Sequence, residues 1–286
     1  MIIDVAELDV IFLSYKEPNK EHNWLDLKAK CPWAKRVDGV EGSDAAHKAA
    51  GVASSTERFV LVDGDNIVDP ALFDQQIDLT GHAPNIALRW RGLNNINGLK
   101  YGNGGVSCWT KTFVRNMQTH ENTDGKDQSQ VEFCYEDGYL PFADIYSTTI
   151  VNHTAQQAWQ AGFREGVKMS LDRGKKRQPS EFMSSIHRQN MHCLLTWMSV
   201  GADVKNGLYA MYGACEGCYK TMIEEWDYVN VRDFTYLEHY WEENPVEERD
   251  LEDKIDQYIE EINFTLGTSA ARLDSAQSKF FKYLNK

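Results

Sequence analysis

The chain has no apolar stretch approaching the roughly 18 residues that a membrane span needs, so no membrane association is expected. Its N-terminus, MIIDVAELDVIFLSY, lacks the basic lead and small-residue cleavage site of a secretory signal. The apolar part is short and reads as a strand, and a cytoplasmic location is expected. Cysteine is sparse, with six residues at 31, 108, 134, 193, 215 and 218, and the spacing excludes a disulfide framework as the source of stability. Cys215 and Cys218 form a lone CxxC. It reads either as a zinc or redox motif, with His192 and Cys193 as possible partners, or as two small buried residues in a tight segment. Positive charge is in deficit: 30 Lys and Arg face 43 Asp and Glu, a net charge of −13. That argues against a broad nucleic-acid-binding surface but leaves room for a local patch. No internal repeat and no low-complexity tract is present.

What is present suffices for a large domain with an appendage: 286 residues, 42% apolar and 12% aromatic. The charge is polarised along the chain. Residues 224–261 hold fifteen Asp and Glu against three Lys and Arg, whereas 164–188 is basic. The first 75 residues alternate strand and helix patterns. DVIFLS at 9–14 is a strand, and the stripe Trp24, Leu25, Leu27 and Cys31 is a helix stopped by Pro32. Residues 34–37 form a second strand, and Ser43 caps an alanine-rich helix. RFVLV at 58–62 is a third strand, wholly apolar beyond Arg58, as suits a parallel strand covered on both faces. This order predicts right-handed βαβ units, hence an α/β fold with a Rossmann-like sheet flanked by helices. Further on, 86–90 and 143–151 read as strands, 94–105 as a glycine- and asparagine-rich loop, and 111–117 as a short helix. From 155 the pattern is helical. Trp159, Phe163, Val167 and Leu171 share one face, 181–200 is a second long stretch, and the last fifty residues pack through Ile255, Tyr258, Ile259, Ile262 and Phe264. The expected parts are 1–154, an α/β core; 155–223, a helical part completing it; and 224–286, an acidic helical extension.

In such a sheet, ligands bind beyond the carboxyl ends of the strands. Three loops follow predicted strand ends, at 14–19, 38–44 and 63–66, and Asp38 heads the second as a donor-binding candidate. The third holds Asp63-Gly64-Asp65. Two carboxylates flanking a residue that permits a tight backbone can share a hard cation, Mn²⁺ or Mg²⁺, with substrate phosphates. The alternative is an acidic turn with no ligand. His153, after a predicted strand, is a candidate third metal ligand or an ordinary surface histidine. A transferase that inverts the sugar centre needs a carboxylate base. Glu136, Asp137 and Asp144 are candidates, each otherwise a solvated loop charge. Arg164 and Lys168 share a helix face and suit a diphosphate leaving group, or a salt-bridged helix surface. His47 and Lys48 either face the nucleotide or lie on an ordinary helix surface. Arg173, Lys175, Lys176 and Arg177, the densest basic run, are candidates for DNA phosphates or a solvated helix end.

The combination SYKEPN, AAHKAA, VDGDN, YGNGG and FREGVK, spread over roughly 8–220, resembles the TET-associated glycosyltransferases. These are phage-type enzymes with a GT-A fold. The resemblance implies a UDP-sugar donor and a divalent metal at the DxD formed by Asp63 and Asp65. It also implies an acceptor hydroxyl on a modified pyrimidine in DNA, 5-hydroxymethylcytosine above all, in host-cell cytoplasm. Ser14, Tyr15 and Glu17 match the nucleoside loop, His47 and Lys48 match AAHKAA, Gly104 and Gly105 match the glycine loop, and Arg164, Glu165 and Lys168 match the FRE helix. His153 falls where many GT-A enzymes place a third ligand. No obligate protein partner is implied. Residues 119–146 and the acidic tail depart from the pattern. Rival readings keep the fold but change the acceptor to a glycan, lipid or protein, or leave a non-catalytic nucleotide-binding protein. A nucleotidyltransferase is disfavoured, because SYKEPN is not its basic glycine-rich loop.

Overall fold

The computed structural model describes residues 1–102, 105–117, 119 and 138–285. These divide into two compact units. The first holds the described residues of 1–95, 99–119 and 138–150, and the second those of 96–98 and 151–285.

The first unit contains β1 (Ile2–Asp4), β2 (Asp9–Ser14), α1 (Lys20–Lys30), β3 (Lys35–Asp38), α2 (Ser43–Ala53), β4 (Arg58–Asp63), β5 (Asn66–Val68), β6 (Gln76–Asp78), β7 (Ala87–Asn94), β8 (Lys100–Tyr101), β9 (Val106–Thr110), α3 (Lys111–Asn116) and β10 (Tyr139–Thr149). The main sheet runs β3-β2-β4-β9-β7-β10-β5, with β8 on β7. β3, β2 and β4 are parallel, the outcome of the two predicted βαβ units. β9 then inserts antiparallel to both β4 and β7. The chain thus adopts the expected class: a mixed sheet flanked by helices, with a helical C-terminal region, consistent with a GT-A Rossmann-like fold.

Both faces of the central strands are covered, which explains their unbroken apolar runs. Val10, Phe12, Val60 and Val62 join Leu27 and Cys31 of α1 in one core. On the other face α2 packs against α3, and a Cβ at Gly51 would stand 2.7 Å from Val114. A small antiparallel ribbon, β1 with β6, contributes Ile77 and its neighbours to the first core.

The second unit is built from α4 (Ala155–Met169), α5 (Phe182–Ser185), α6 (Arg188–Ser199), α7 (Gly207–Met222), α8 (Phe234–Glu243), α9 (Leu251–Leu266) and α10 (Ser275–Leu284). The predicted stretch 181–200 is broken at 186–187. His187 is extended there, and its Nδ1 accepts from the Gln189 N–H at 3.2 Å, acting as the cap of α6. The face Trp159, Phe163, Val167 and Leu171 is buried as expected. Phe264 is not part of the core: it is 91% exposed. The buried stripe of α9 is Ile255, Ile259, Ile262 and Leu266, and position 264 falls off that helical spacing.

Glycines let α4 and α7 approach backbone to backbone. A Cβ at Gly162 would stand 1.9 Å from the Ala210 carbonyl oxygen, and one at Gly213 2.2 Å from that of Trp159. Gly162→Ala is therefore expected to destabilise the protein. Overpacking removes ~1–3 kcal/mol, and the helix propensity of alanine returns at most ~1 kcal/mol. Urea denaturation giving parental stability would contradict this contact.

Between the same helices Glu216 is buried, accepting from Trp159 Nε1 at 2.8 Å and from the Tyr240 hydroxyl at 2.7 Å. Burial raises its carboxyl pKa despite those bonds. Cys215 and Cys218 lie on α7 as free, buried thiols. Burial pushes Cys218 up to about 12 and Cys215 well above its ordinary value, the latter helped by Cys218 and Asp256. The structure thus favours the packing reading of the CxxC. Iodoacetamide is expected to leave both unmodified until the chain unfolds, as mass spectrometry of the digested protein would show.

Candidate functional site

β4 carries RFVLVD to the carboxyl end of the sheet, where Asp63 pairs in register with Leu13 of β2. The Asp63 N–H donates to the Gly105 carbonyl at 2.8 Å, fixing the strand end. Gly64 permits close approach: a Cβ there would stand 2.9 Å from both a Glu17 carboxylate oxygen and the Ser14 Cβ. Its carbonyl accepts from the buried amide of Asn23 at 2.9 Å. Asp65 Oδ1 accepts from the Asn66 amide at 2.7 Å, and Asn66 Oδ1 accepts from the Thr149 hydroxyl at 3.2 Å. The Asp65 carbonyl accepts from the Ile150 N–H at 2.7 Å. Asn23, Asn66 and Thr149 are positioning residues that the sequence did not single out. Only Asn66, adjacent to the DxD, carried a local signal.

Three carboxylates, Glu17, Asp63 and Asp65, crowd this corner. Asp63 is set deep but remains partly open to solvent. Burial first, then the charges of Asp65 and Glu17, raise its pKa well above the usual carboxylate range. Such a group lacks positive charge. Two carboxylates of this kind fit a hard cation that takes its remaining oxygens from a ligand's phosphates. Among the described residues, no three or more His, Cys, Asp and Glu side chains are grouped to hold a metal on their own.

The loops after β2 and β3 form a second polar cluster. Asp38 Oδ1 accepts from the Ser14 hydroxyl at 2.7 Å and from Lys20 Nζ at 2.8 Å. Arg36 reaches Ser14 Oγ at 3.2 Å and clamps Glu21 with two bonds of 2.7 Å. Burial acts to raise the Asp38 pKa, but the bonds from Lys20 and Ser14 and the charge of Arg36 outweigh it, so it lies below its ordinary value. Glu17 Oε2 accepts from the Tyr15 N–H at 2.7 Å, and the Tyr15 ring is exposed.

His47 is buried, with Nδ1 2.8 Å from the Ser43 carbonyl and its ring edge-on to Trp109 at 5.9 Å. Lys48 pairs with Asp44 at 3.0 Å. Asp144 is exposed on β10, five residues before Thr149, roughly 16 Å along a strand. Gly104, Glu136 and Asp137 lie outside the described residues. In the second unit, Arg164 stacks over Phe234 at 4.5 Å and Lys168 pairs with Glu165 at 2.5 Å. His153 is exposed, and its carbonyl accepts from Lys205 Nζ at 3.2 Å. Arg177 binds Asp172 through two nitrogens, at 2.8 and 2.5 Å, and Lys176 donates to the Glu224 carbonyl at 3.2 Å. Arg173 and Lys175 are exposed.

No family model and no curated protein matches this chain. Among solved structures, it is similar to a glycosyltransferase involved in the glycosylation of the major capsid of PBCV-1, at 17% identity and a TM-score of 0.32. The match covers 52% of this chain and 96% of that one. A likeness that remote bears on neither activity nor substrate. No described helix is long and apolar enough to cross a membrane.

Proposed function

We propose that this chain is a glycosyltransferase that binds a nucleotide-sugar with a divalent cation at Asp63-Gly64-Asp65. The observation that carries this reading is the crowding of Asp63 by Asp65 and Glu17 at the carboxyl end of β4, flanked by the loops after β2 and β3. Asp63 and Asp65 would hold Mn²⁺ or Mg²⁺, which supplies charge stabilisation for a departing diphosphate. Asn66 fixes the Asp65 carboxylate, and Asn23 fixes the backbone between the two. Ser14, Tyr15 and Asp38 would take the nucleoside, with Asp38 kept ionised as an acceptor by Lys20 and Arg36. Gly105 closes the strand end without a side chain.

The acceptor this reading favours is a hydroxyl of a glycan or protein. The chain carries a net charge of −13, and in 173–177 Arg177 is engaged by Asp172 and Lys176 by the Glu224 carbonyl. A polyanion gains little from such a surface. The sequence resemblance carries the second reading, transfer to 5-hydroxymethylcytosine in DNA, where the base must be flipped or single-stranded to reach the sugar. One experiment tests both. The protein, Mn²⁺ and a panel of UDP-sugars are incubated with neutral oligosaccharides, glycoprotein, and DNA containing cytosine or 5-hydroxymethylcytosine. UDP release and product masses are then read. Sugar added to the oligosaccharide or glycoprotein supports the first reading, and sugar on the modified base alone supports the second. No metal-dependent UDP release with any acceptor or with water sinks the transferase assignment.

A further inference from the structure

The first unit contains a cavity of about 210 Å³ lined by residues of β10, β7 and the β6 ribbon. Phe142 and Trp90 are cross-strand partners, and their rings stack at 5.5 Å and 22°. Asp144 and Tyr146 follow on β10, which is irregular in register between Phe142 and Ile145. Gln75 and Gln76 face them across the cavity.

Two of the polar side chains are held within the protein: the Gln75 amide donates to the Ala71 carbonyl at 2.8 Å, and Asp78 Oδ1 accepts from the Thr80 N–H at 2.8 Å. Among the described residues, the Asp144 carboxylate and the Tyr146 hydroxyl make no hydrogen bond, and the Gln76 amide reaches only Asp4, at 3.3 Å. Burial first, then Asp144 and Asp69, raise the Tyr146 pKa, so its hydroxyl stays a donor. The wall therefore offers a carboxylate acceptor, a phenol donor and the weakly engaged Gln76 amide beside stacked aromatic carbon. No Lys or Arg lines it, and Asp78, 3.9 Å from the Met1 ammonium, adds a second carboxylate. A phosphate or other anion is disfavoured there. A purely apolar ligand would strip water from the Asp144 carboxylate and the Tyr146 hydroxyl and offer nothing in return. A pyranose matches both surfaces: C–H groups on one face and vicinal hydroxyls at the edge. The volume is below the ~300–1,000 Å³ of drug-sized sites, so one ring fits rather than a dinucleotide.

We propose that this cavity is a binding subsite for a single neutral pyranose unit, formed by Phe142, Trp90, Asp144, Tyr146 and Gln76. It is separate from the DxD corner and holds whether or not the chain transfers sugar.

The test uses the full chain with EDTA present. Methyl hexopyranosides of three configurations, a hexose 6-phosphate and the open-chain polyol sorbitol are screened by saturation-transfer NMR, and hits are titrated by calorimetry. At least one neutral pyranoside should bind. Its affinity should fall about tenfold in Asp144→Asn, and also in Tyr146→Phe, and stay unchanged in Asp63→Asn. Circular dichroism melts verify that each variant folds. Should Tyr146→Phe fail to fold, Gln76→Ala, at an exposed position, replaces it with the same expectation of weaker binding. The proposal is overturned if no neutral pyranoside binds, if only the phosphate or the polyol binds, or if the folded variants bind as the parent does. Loss of binding in Asp63→Asn also overturns it, since the sugar would then sit at the donor corner.

Discussion

Asp63→Asn is expected to fold, to lose at least about 10³ of its transfer rate, and to be more stable than the parent at neutral pH in EDTA. The two effects share one cause. Burial, then Asp65 and Glu17, raise the Asp63 pKa in the folded chain. A carboxyl whose folded pKa is raised adds stability below its unfolded pKa and loses it as pH climbs through the folded value. At neutral pH the parent therefore bears an ionised carboxylate that its surroundings oppose. Asparagine is neutral at every pH and keeps the shape. The gap should be on the order of 1–3 kcal/mol at pH 7, shrink as pH falls, and close in acid, where both side chains are uncharged. Mn²⁺ should reverse the order, raising the melting temperature of the parent by binding only the folded state and leaving the variant unmoved. Thermal melts at stepped pH, with EDTA or Mn²⁺, read all of this without a known acceptor. A variant no more stable than the parent at pH 7 in EDTA would mean that the corner is not electrostatically loaded, and the cation site would lose its support.

The pieces of that corner differ in how far the sequence announces them. β2, α1, β3, α2 and β4 announce themselves through local features, namely the apolar runs 10–13 and 59–62 and Pro32 as a stop, although Ser43, expected as the cap of α2, is its first residue and Gly42 is the cap. Because ligands gather beyond the carboxyl ends of parallel strands, Ser14, Glu17, Asp38, Asp63 and Asp65 could be grouped before any coordinates. β5 was invisible. It has three residues, and its partner β10 lies about eighty positions away. The antiparallel insertion of β9 between β4 and β7 is likewise a long-range pairing with no local pattern. Asn23 and Thr149 serve the site through bonds spanning 41 and 83 positions. An asparagine on a helix and a threonine at a strand end give no hint of such partners. His47 shows the limit of a local reading. AAHKAA puts it on a helix, but that its ring packs on Trp109 only the tertiary fold could reveal. Asp144 was noticed as a carboxylate, but the bend of β10 and the ribbon opposite, which give it a cavity, are not written in its neighbours.

Gly105→Ala is expected to destabilise the protein and to cut transfer about a hundredfold although position 105 carries no reactive group. Gly105 has φ of +69°, a left-handed backbone that disfavours side chains by roughly 1–2 kcal/mol. A Cβ there would also stand 1.9 Å from Asn66 Nδ2 and 2.6 Å from its Cγ. Asn66 must then move, and with it goes the 2.7 Å bond that holds Asp65 Oδ1. A displacement near 1 Å at a reacting centre suffices for about 10² in rate. A double-mutant cycle separates the two causes. Asn66→Ala removes the three atoms nearest to a Cβ at 105, so Gly105→Ala should cost less stability in that background than in the parent, with the backbone strain remaining. Activity should behave otherwise. The double variant should be no more active than Asn66→Ala alone, because Asp65 has lost its anchor in both. If the two substitutions prove additive in stability, the overlap with Asn66 does not exist in the folded protein. If Gly105→Ala loses stability but keeps full activity, Asn66 does not orient Asp65 for transfer.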